Sequence, residues 1–353
     1  MGMCLHKDVA EEHKKAKVQS SKMERDLHKH ASMENNVVKI LTLGAPETGK
    51  STIVKQIKII HNHGFSKQEL ISFKPAVLDN LLTSMKTVLQ GMGTLRINLA
   101  NKQNKCGICF NKWHYCFPLC DLIQTKFWQK TVTCSLKSKS CSFSFVLFPS
   151  SSFFENMSRI IAPNYIPTDA DVLRVRVRTC GIIETQFQFF LVDRLYDVRG
   201  QQSERRKWLS CFEGIQAVVF VVALNSYDMT LLEDPSVNRL QESLELFSSI
   251  CIHTVFQQTT MILFMNKTDL FREKILKSGR HLRLYHSSYK GADGDVDAAA
   301  HNITAMFSAC NSNPDRPVYH HFTTAIDATS VRVAFHVVVD QIMRGNLEAV
   351  QLV

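Results

Sequence analysis

At 353 residues, 45% of them apolar and 21% charged, the chain can bury a sizeable core and has the make-up of a globular protein. No run of about eighteen apolar residues occurs, which excludes a membrane-spanning helix, and the polar stretch from Lys7 onward argues against a secretory leader. The net charge of +10 points to an anionic partner, for which nucleic acid, a lipid surface and nucleotide phosphate all qualify.

In chain order, residues 7–36 are rich in Lys, Glu and His and read as a solvated helix ending in a polar hinge at 34–36. "VVKILTLG" (37–44) is a short apolar run closed by glycine, a buried strand. A helix resumes at Lys50 through "STIVKQIKIIH", and a second spans 68–92. Residues 99–150 then lose periodicity. Six of the eleven cysteines crowd there (Cys106, Cys109, Cys116, Cys120, Cys134 and Cys141), beside seven lysines and a single acid, Asp121. Without a leader, reduced thiols are the expectation.

Beyond Ile160 the pattern returns. Residues 181–198 read as two strands with a tight connection, and 215–224 and 259–266 as buried parallel strands, with a helix over 231–251 between them. A further strand is expected over 318–327, and 331–350 reads as an amphipathic helix that ends the chain. Strands alternating with helices imply a doubly wound sheet whose ligands bind at the strands' carboxyl ends.

"LGAPETGKST" (43–52) satisfies G-x-x-x-x-G-K-[ST] through Gly44, Gly49, Lys50 and Ser51. The bland reading is a glycine turn. The flanking strand and helix supply the context that a phosphate loop requires, with N–H groups and Lys50 on the phosphates and the Ser51 hydroxyl for Mg²⁺. "NKTD" (266–269) closes a buried strand. Its Asp269 can accept from guanine's ring N–H and amino group, a donor pair that adenine lacks. In "DVRGQ" (197–201), Asp197 can reach Mg²⁺ through water, Gly200 can give an N–H to a γ-phosphate and Gln201 can orient water. "RVRTCG" (176–181) adds Thr179 for Mg²⁺ and Arg176 as a transition-state cation. Taken singly, each of these last two reads as a surface turn or charged loop; together the four make one site.

These motifs in this order resemble the α subunits of heterotrimeric G proteins, as do "APNYIPTDADVLRVRVRTCGIIE", "GQQSERRKWLSCFEG" and "ILFMNKTDLFREKI". The resemblance covers about 37–98 and 153–347. It implies an α/β fold: a Ras-like P-loop GTPase with a mostly parallel six-stranded sheet flanked by helices. That domain would comprise 37–66 and 171–353, with an inserted helical domain at 67–170, degenerate at 99–152, and an N-terminal helix at 1–36 for membrane and βγ. It implies GTP/GDP and Mg²⁺, a βγ dimer, a heptahelical receptor, an effector enzyme and an RGS-type regulator. Arg176 resembles the built-in arginine finger, Gln201 the water-positioning glutamine, Ser51 and Thr179 the metal ligands, and Glu47 the loop acid that pairs with the arginine. The nucleotide shell it implies runs through Gly44, Ala45, Pro46, Glu47, Thr48, Gly49, Lys50, Ser51 and Thr52. It continues with Leu173, Arg174, Asp197, Gly200, Asn266, Lys267, Asp269 and Ala325.

The chain also departs from that family. Pro46 replaces a glycine and removes an N–H near the γ-phosphate, so binding is expected to survive and hydrolysis to be at risk. Arg199 replaces a glycine of the second switch, Asp193 stands where an apolar residue is usual, and Thr324 and Ile326 alter the base loop. "CGICFNKWHYCFPLC" offers Cys106, Cys109, His114, Cys116 and Cys120, but in no zinc-module spacing. "CSFSFVLFPSSSFF" has the composition of a translated pyrimidine-rich tract, which suggests read-through and an incomplete lid that would speed nucleotide release.

Gly2 is placed for myristoylation, although His6 stands where Ser or Thr is wanted, and Cys4 for palmitoylation. The expected location is the cytoplasmic face of the plasma membrane. The C-terminal Leu-Val leans Gq-like, "SYDMTLLED" leans toward the inhibitory and transducin-like group, and Gq-like is favoured. A non-catalytic or dominant-negative G-α-like interaction protein is the alternative. An ATPase or kinase is disfavoured by Asp269, and nucleic-acid binding by the lack of an aromatic–basic surface.

Overall fold

The computed structural model describes residues 38–94, 152–177, 181–188, 192–198, 214–231, 233–313 and 316–349, together with Gly200, Arg205, Trp208 and Phe212. The expected N-terminal helix with Gly2 and Cys4, the cysteine-rich stretch, and Thr179, Arg199 and Gln201 lie outside the described residues.

Six strands form one sheet: β1 (Lys39–Leu43), β2 (Ile182–Gln188), β3 (Val192–Val198), β4 (Ala217–Ala223), β5 (Thr260–Asn266) and β6 (Val318–Thr323). Their order is β2-β3-β1-β4-β5-β6, with β2 antiparallel to β3 and every other pairing parallel. Eight helices accompany them among the described residues: α1 (Lys50–His61), α2 (Lys67–Thr94), α3 (Met157–Ile160), α4 (Asp169–Arg174), α5 (Arg239–Ile252), α6 (Thr268–Lys277), α7 (Val296–Ser308) and α8 (Ala328–Ala349).

The central strands are apolar on both faces because helices cover both. Alternation along the chain divides them. Leu41, Val218, Phe220, Leu263 and Met265 pack against Leu240 and Phe247 of α5, Phe271 of α6 and Phe307 of α7. Ile40, Val219, Val221, Ile262 and Phe264 pack on the other side against Ile53 and Ile57 of α1 and Val331, Phe335 and Val338 of α8. A separate cluster joins Val77, Leu81 and Met85, one stripe of α2, to Phe153, Met157, Ile160, Tyr165 and Val175.

Two expected elements are shorter than their sequence pattern. The helix expected over 231–251 begins only at Arg239. Asp234 folds back on Ser236, accepting its N–H at 2.9 Å and its hydroxyl at 2.6 Å. Asn238 then caps the helix by accepting the N–H groups of Leu240 and Gln241 at 2.8 and 3.2 Å. Short polar side chains that bond local backbone favour turns and caps over helix interiors. The strand expected over 318–327 stops at Thr323, and the rest becomes the loop before α8. Asp193 pairs across the ladder with Phe187, on a strand that has a neighbour on each side.

Candidate functional site

β1 delivers the chain to the carboxyl edge of the sheet, where it turns at Gly44 (φ 142°) and enters α1 through Gly49 (φ 103°). A Cβ on Gly49 would stand 2.3 Å from Asn266 Nδ2, so the position is closed to any side chain. Lys50 folds back over the loop and donates to the carbonyls of Gly44 at 2.9 Å and Ala45 at 2.8 Å. Thr48 donates its hydroxyl to the Ala45 carbonyl at 3.1 Å. Burial pushes the Lys50 ammonium down to about 8, with Asp197 opposing the shift. Ser51 and Thr52 lie in the first turn of α1, whose N–H groups have no partner within the helix and attract anions. Pro46 offers no N–H; its carbonyl accepts Arg239 Nη2 at 3.0 Å.

The end of β3 brings Asp197 to the same corner. Its side chain is buried, and burial raises its carboxyl above the usual range against the pull of Ser51, which donates to it, and of Lys50 and Lys55. One carboxylate oxygen, Oδ1, has no hydrogen-bond partner among the described residues. An orphaned carboxylate oxygen beside a serine hydroxyl is the hard-oxygen donor set that Mg²⁺ takes. Gly200 touches the loop so closely that a Cβ there would sit 2.6 Å from the Gly44 carbonyl and 2.7 Å from Lys50 Nζ. Arg205 donates Nε to the Gly200 carbonyl at 3.3 Å and pairs with Glu242 of α5.

At the other end of the loop, Asn266 closes β5 fully buried and joins three segments. Its Nδ2 donates to Thr48 O at 2.8 Å. Its Oδ1 accepts the Ala325 N–H at 3.0 Å and the Thr323 hydroxyl at 3.3 Å. Lys267, in the left-handed region at φ 64°, donates Nζ to the Glu47 carbonyl at 2.7 Å. Burial brings its ammonium down to about 8. Thr268 and Thr324 share a hydroxyl–hydroxyl bond of 2.7 Å, tying the start of α6 to the base loop. Asp269 borders a cavity of about 330 Å³ that Thr268, Phe322 and Thr324 also line.

Glu47 gathers the cations. It pairs with Arg176 and, at 3.0 Å, with Arg239. Burial alone would raise its carboxyl, but Arg239 and Arg176 together leave it below the ordinary value. Leu173 is buried in α4, and Arg174 donates Nη1 to Ala170 O of its own helix at 3.1 Å, so neither is turned toward the loop by a bond. Sequence reasoning missed Arg239, Arg205, Glu242 and Lys55. Only the cap at Asn238, which starts α5 beside the loop, marks Arg239 in the sequence.

A roomier cavity, about 760 Å³ and lined by Arg316, Tyr319, Asp340 and Arg344, lies at the amino-terminal ends of β5 and β6, away from all these groups. Size does not select the site; convergence of cations and N–H groups does. No group of His, Cys, Asp and Glu suited to a metal occurs among the described residues, and the described cysteines, Cys251 and Cys310, are free thiols.

Compared with known families, the chain matches the one described as G-protein alpha subunit over residues 17–342. Among curated proteins it is 44% identical, over 363 aligned positions spanning 100% of both chains, to the guanine nucleotide-binding protein G(o) subunit alpha of Geodia cydonium. That relative is a G(o) subunit, and it lends no support to the Gq-like leaning of the C-terminus.

Proposed function

The chain belongs to the G-protein α-subunit family, and from that premise we propose how its residues divide the work. It is a heterotrimeric G-protein α subunit, G(o)-like, of a family of GTPases that bind GTP or GDP with Mg²⁺ and act with βγ and a receptor.

In our reading, the N–H groups from Glu47 to Thr52, with Gly44 and Ala45, cradle the phosphates, and Lys50 leaves its loop carbonyls to meet them. Asp269 reads guanine, with Lys267 and Ala325 closing the base pocket, while Leu173 and Arg174 complete the nucleotide shell. Ser51 and Thr179 hold Mg²⁺, with Asp197 acting through water; bound there, Mg²⁺ neutralises charge on the phosphate oxygens. Gln201 orients the attacking water in line with the γ-phosphate. Arg176 and Lys50 stabilise the charge that spreads over the phosphoryl oxygens, and Gly200 gives its N–H to the γ-phosphate when the second switch closes.

The observation that carries this reading is the Asn266 side chain, which bonds the phosphate loop at Thr48 and the base loop at Ala325 at once. It ties two distant motifs to one side chain. No helix among the described residues is long and apolar enough to cross a membrane. Peripheral attachment through Gly2 and Cys4 at the cytoplasmic face of the plasma membrane, an effector enzyme and an RGS-type regulator complete the proposal.

Pro46 favours a second reading, a subunit that binds guanine nucleotide yet cycles poorly. Both are tested by binding a fluorescent, non-hydrolysable GTP analogue with Mg²⁺, competed by GDP and by ATP, followed by single-turnover hydrolysis. The switch reading expects displacement by GDP and not ATP, and hydrolysis that Arg176→Cys slows by about 10³-fold or more. Guanine binding without hydrolysis establishes the second reading, and no binding by folded protein overturns both.

A further inference from the structure

The backbone that carries Arg176 is fastened by a side chain that belongs to none of the motifs. Asn80 sits within α2, the first helix of the expected insert. Its Oδ1 accepts the Arg176 N–H at 2.9 Å, and its Nδ2 donates to the Arg176 carbonyl at 3.0 Å. The second Nδ2 hydrogen goes to Ala76 O at 2.8 Å, one turn back along α2. Both amide donors and the acceptor are thus engaged, and the reciprocal pair fixes which end of the amide is oxygen. A side chain that holds the N–H and the C=O of one residue fixes both peptide planes flanking its Cα. The direction in which the side chain departs is then set.

The chain leading to Arg176 is held just as firmly. Asp171 accepts both Nη1 and Nη2 of Arg159 at 2.8 Å, the Tyr165 hydroxyl at 3.0 Å and the Thr168 N–H at 2.9 Å. Lys55 of α1 donates to Val172 O at 3.0 Å. Val175 is buried in the α2 cluster with Val77 and Leu81. Among the described residues, this anchoring leads up to Arg176. Its side chain is 64% exposed and projects to Glu47 of the phosphate loop.

We propose that Asn80 is a positioning residue for GTP hydrolysis, aiming Arg176 from the inserted lobe across to the phosphate loop. The inference rests on the reading of Arg176 as the transition-state cation. An arginine that must arrive within a fraction of an ångström gains from a fixed root, because misplacement of about 1 Å costs as much as 10²-fold in rate.

The test uses the full-length protein loaded with GTP, in single turnover, for the native chain, Asn80→Ala, Asn80→Asp, Arg176→Cys and the double variant Asn80→Ala/Arg176→Cys. Asn80→Ala is expected to slow hydrolysis about tenfold or more, while the dissociation constant for a non-hydrolysable GTP analogue stays within about twofold of native. Asn80→Asp keeps the acceptor for the Arg176 N–H and loses the donor, and is expected to fall between. The double variant should be no slower than Arg176→Cys alone, because a residue that acts through Arg176 has nothing left to position. A native rate in Asn80→Ala, or losses that multiply in the double variant, would overturn the proposal. Should Asn80→Ala fail to fold, a native rate in Asn80→Asp would overturn it equally. A native rate in Arg176→Cys removes the premise and the proposal with it. Slow Arg176→Cys beside unaffected Asn80 variants leaves the premise standing and removes the proposal alone.

Discussion

Lys50 joins the chemistry of the site to a measurable proton. In the protein alone its ammonium is buried among the loop carbonyls and titrates near pH 8, against an ordinary value of 10.5. Lys267 is depressed to about 8 by the same burial. A phosphate group beside the Lys50 ammonium favours its charged form and raises its value. Below pH 8 the proton is already present; above it, binding must recruit it. The affinity for GDP is therefore expected to fall as pH climbs past 8, by as much as about one decade per pH unit. Fluorescent GDP titrations from pH 7 to about 9.5 check this, and a flat profile would refute it. The sign reverses for stability of the nucleotide-free protein. Between pH 8 and 10.5 the unfolded chain still holds protons that the folded one has released, so these two groups make folding more favourable as pH rises.

Among the elements, α6 carries Asp269, the proposed base reader, at its start and is moored toward its other end. Lys274, fully buried, donates to Asn225 O at 2.6 Å and pairs with Asp228, whose side chain is equally buried. Arg280 holds the second Asp228 oxygen at 2.8 Å. This cluster ties α6 to the segment after β4 that leads on to α5 and Arg239. Lys274→Met would leave a buried carboxylate with half its counter-charge, a loss of about 3–5 kcal/mol in stability. Denaturant unfolding checks it, with Lys274→Met/Asp228→Asn expected to recover part of the loss. None of this was legible in the sequence, where Lys274 is one charge among several after the NKTD motif. The neighbouring strands were legible because they are continuous apolar runs, and the motifs at 44–51 and 266–269 stood out because each follows such a run. The start of α5 was not, because the apolar spacing of 231–251 continues through Asp234 and Asn238, whose local hydrogen bonds decide the boundary. Arg239 escaped notice for a related reason: its partner Glu47 is far away in the chain and adjacent only in space.

For the molecule as a whole, the proposed nucleotide site draws on β1, β3, β5, the loop after β6 and the helices α1, α5 and α6, so a bound nucleotide would reinforce most of the sheet at once. Anything that binds the folded state alone adds about 2.7 kcal/mol of stability at a hundred times its dissociation constant. GDP with Mg²⁺ is thus expected to raise the melting temperature by several degrees and ATP at equal concentration to leave it unchanged. Differential scanning fluorimetry with both nucleotides decides the matter, and equal shifts would count against Asp269 as the reader of the base.

The placement of β1 has a consequence during synthesis. The strand lies in the middle of the sheet between β3 and β4, and the residue that caps its edge, Gln216, bonds Lys39 from 177 positions away. At about 5–20 residues per second, a ribosome needs roughly 9–35 s to supply those partners. For most of that interval, until β3 is made, Ile40, Leu41 and Leu43, all fully buried in the finished sheet, have no strand to pair with. The nascent chain must therefore be sheltered while residues 67–170 are translated, and its dependence on chaperones should track the length of that stretch and not its sequence.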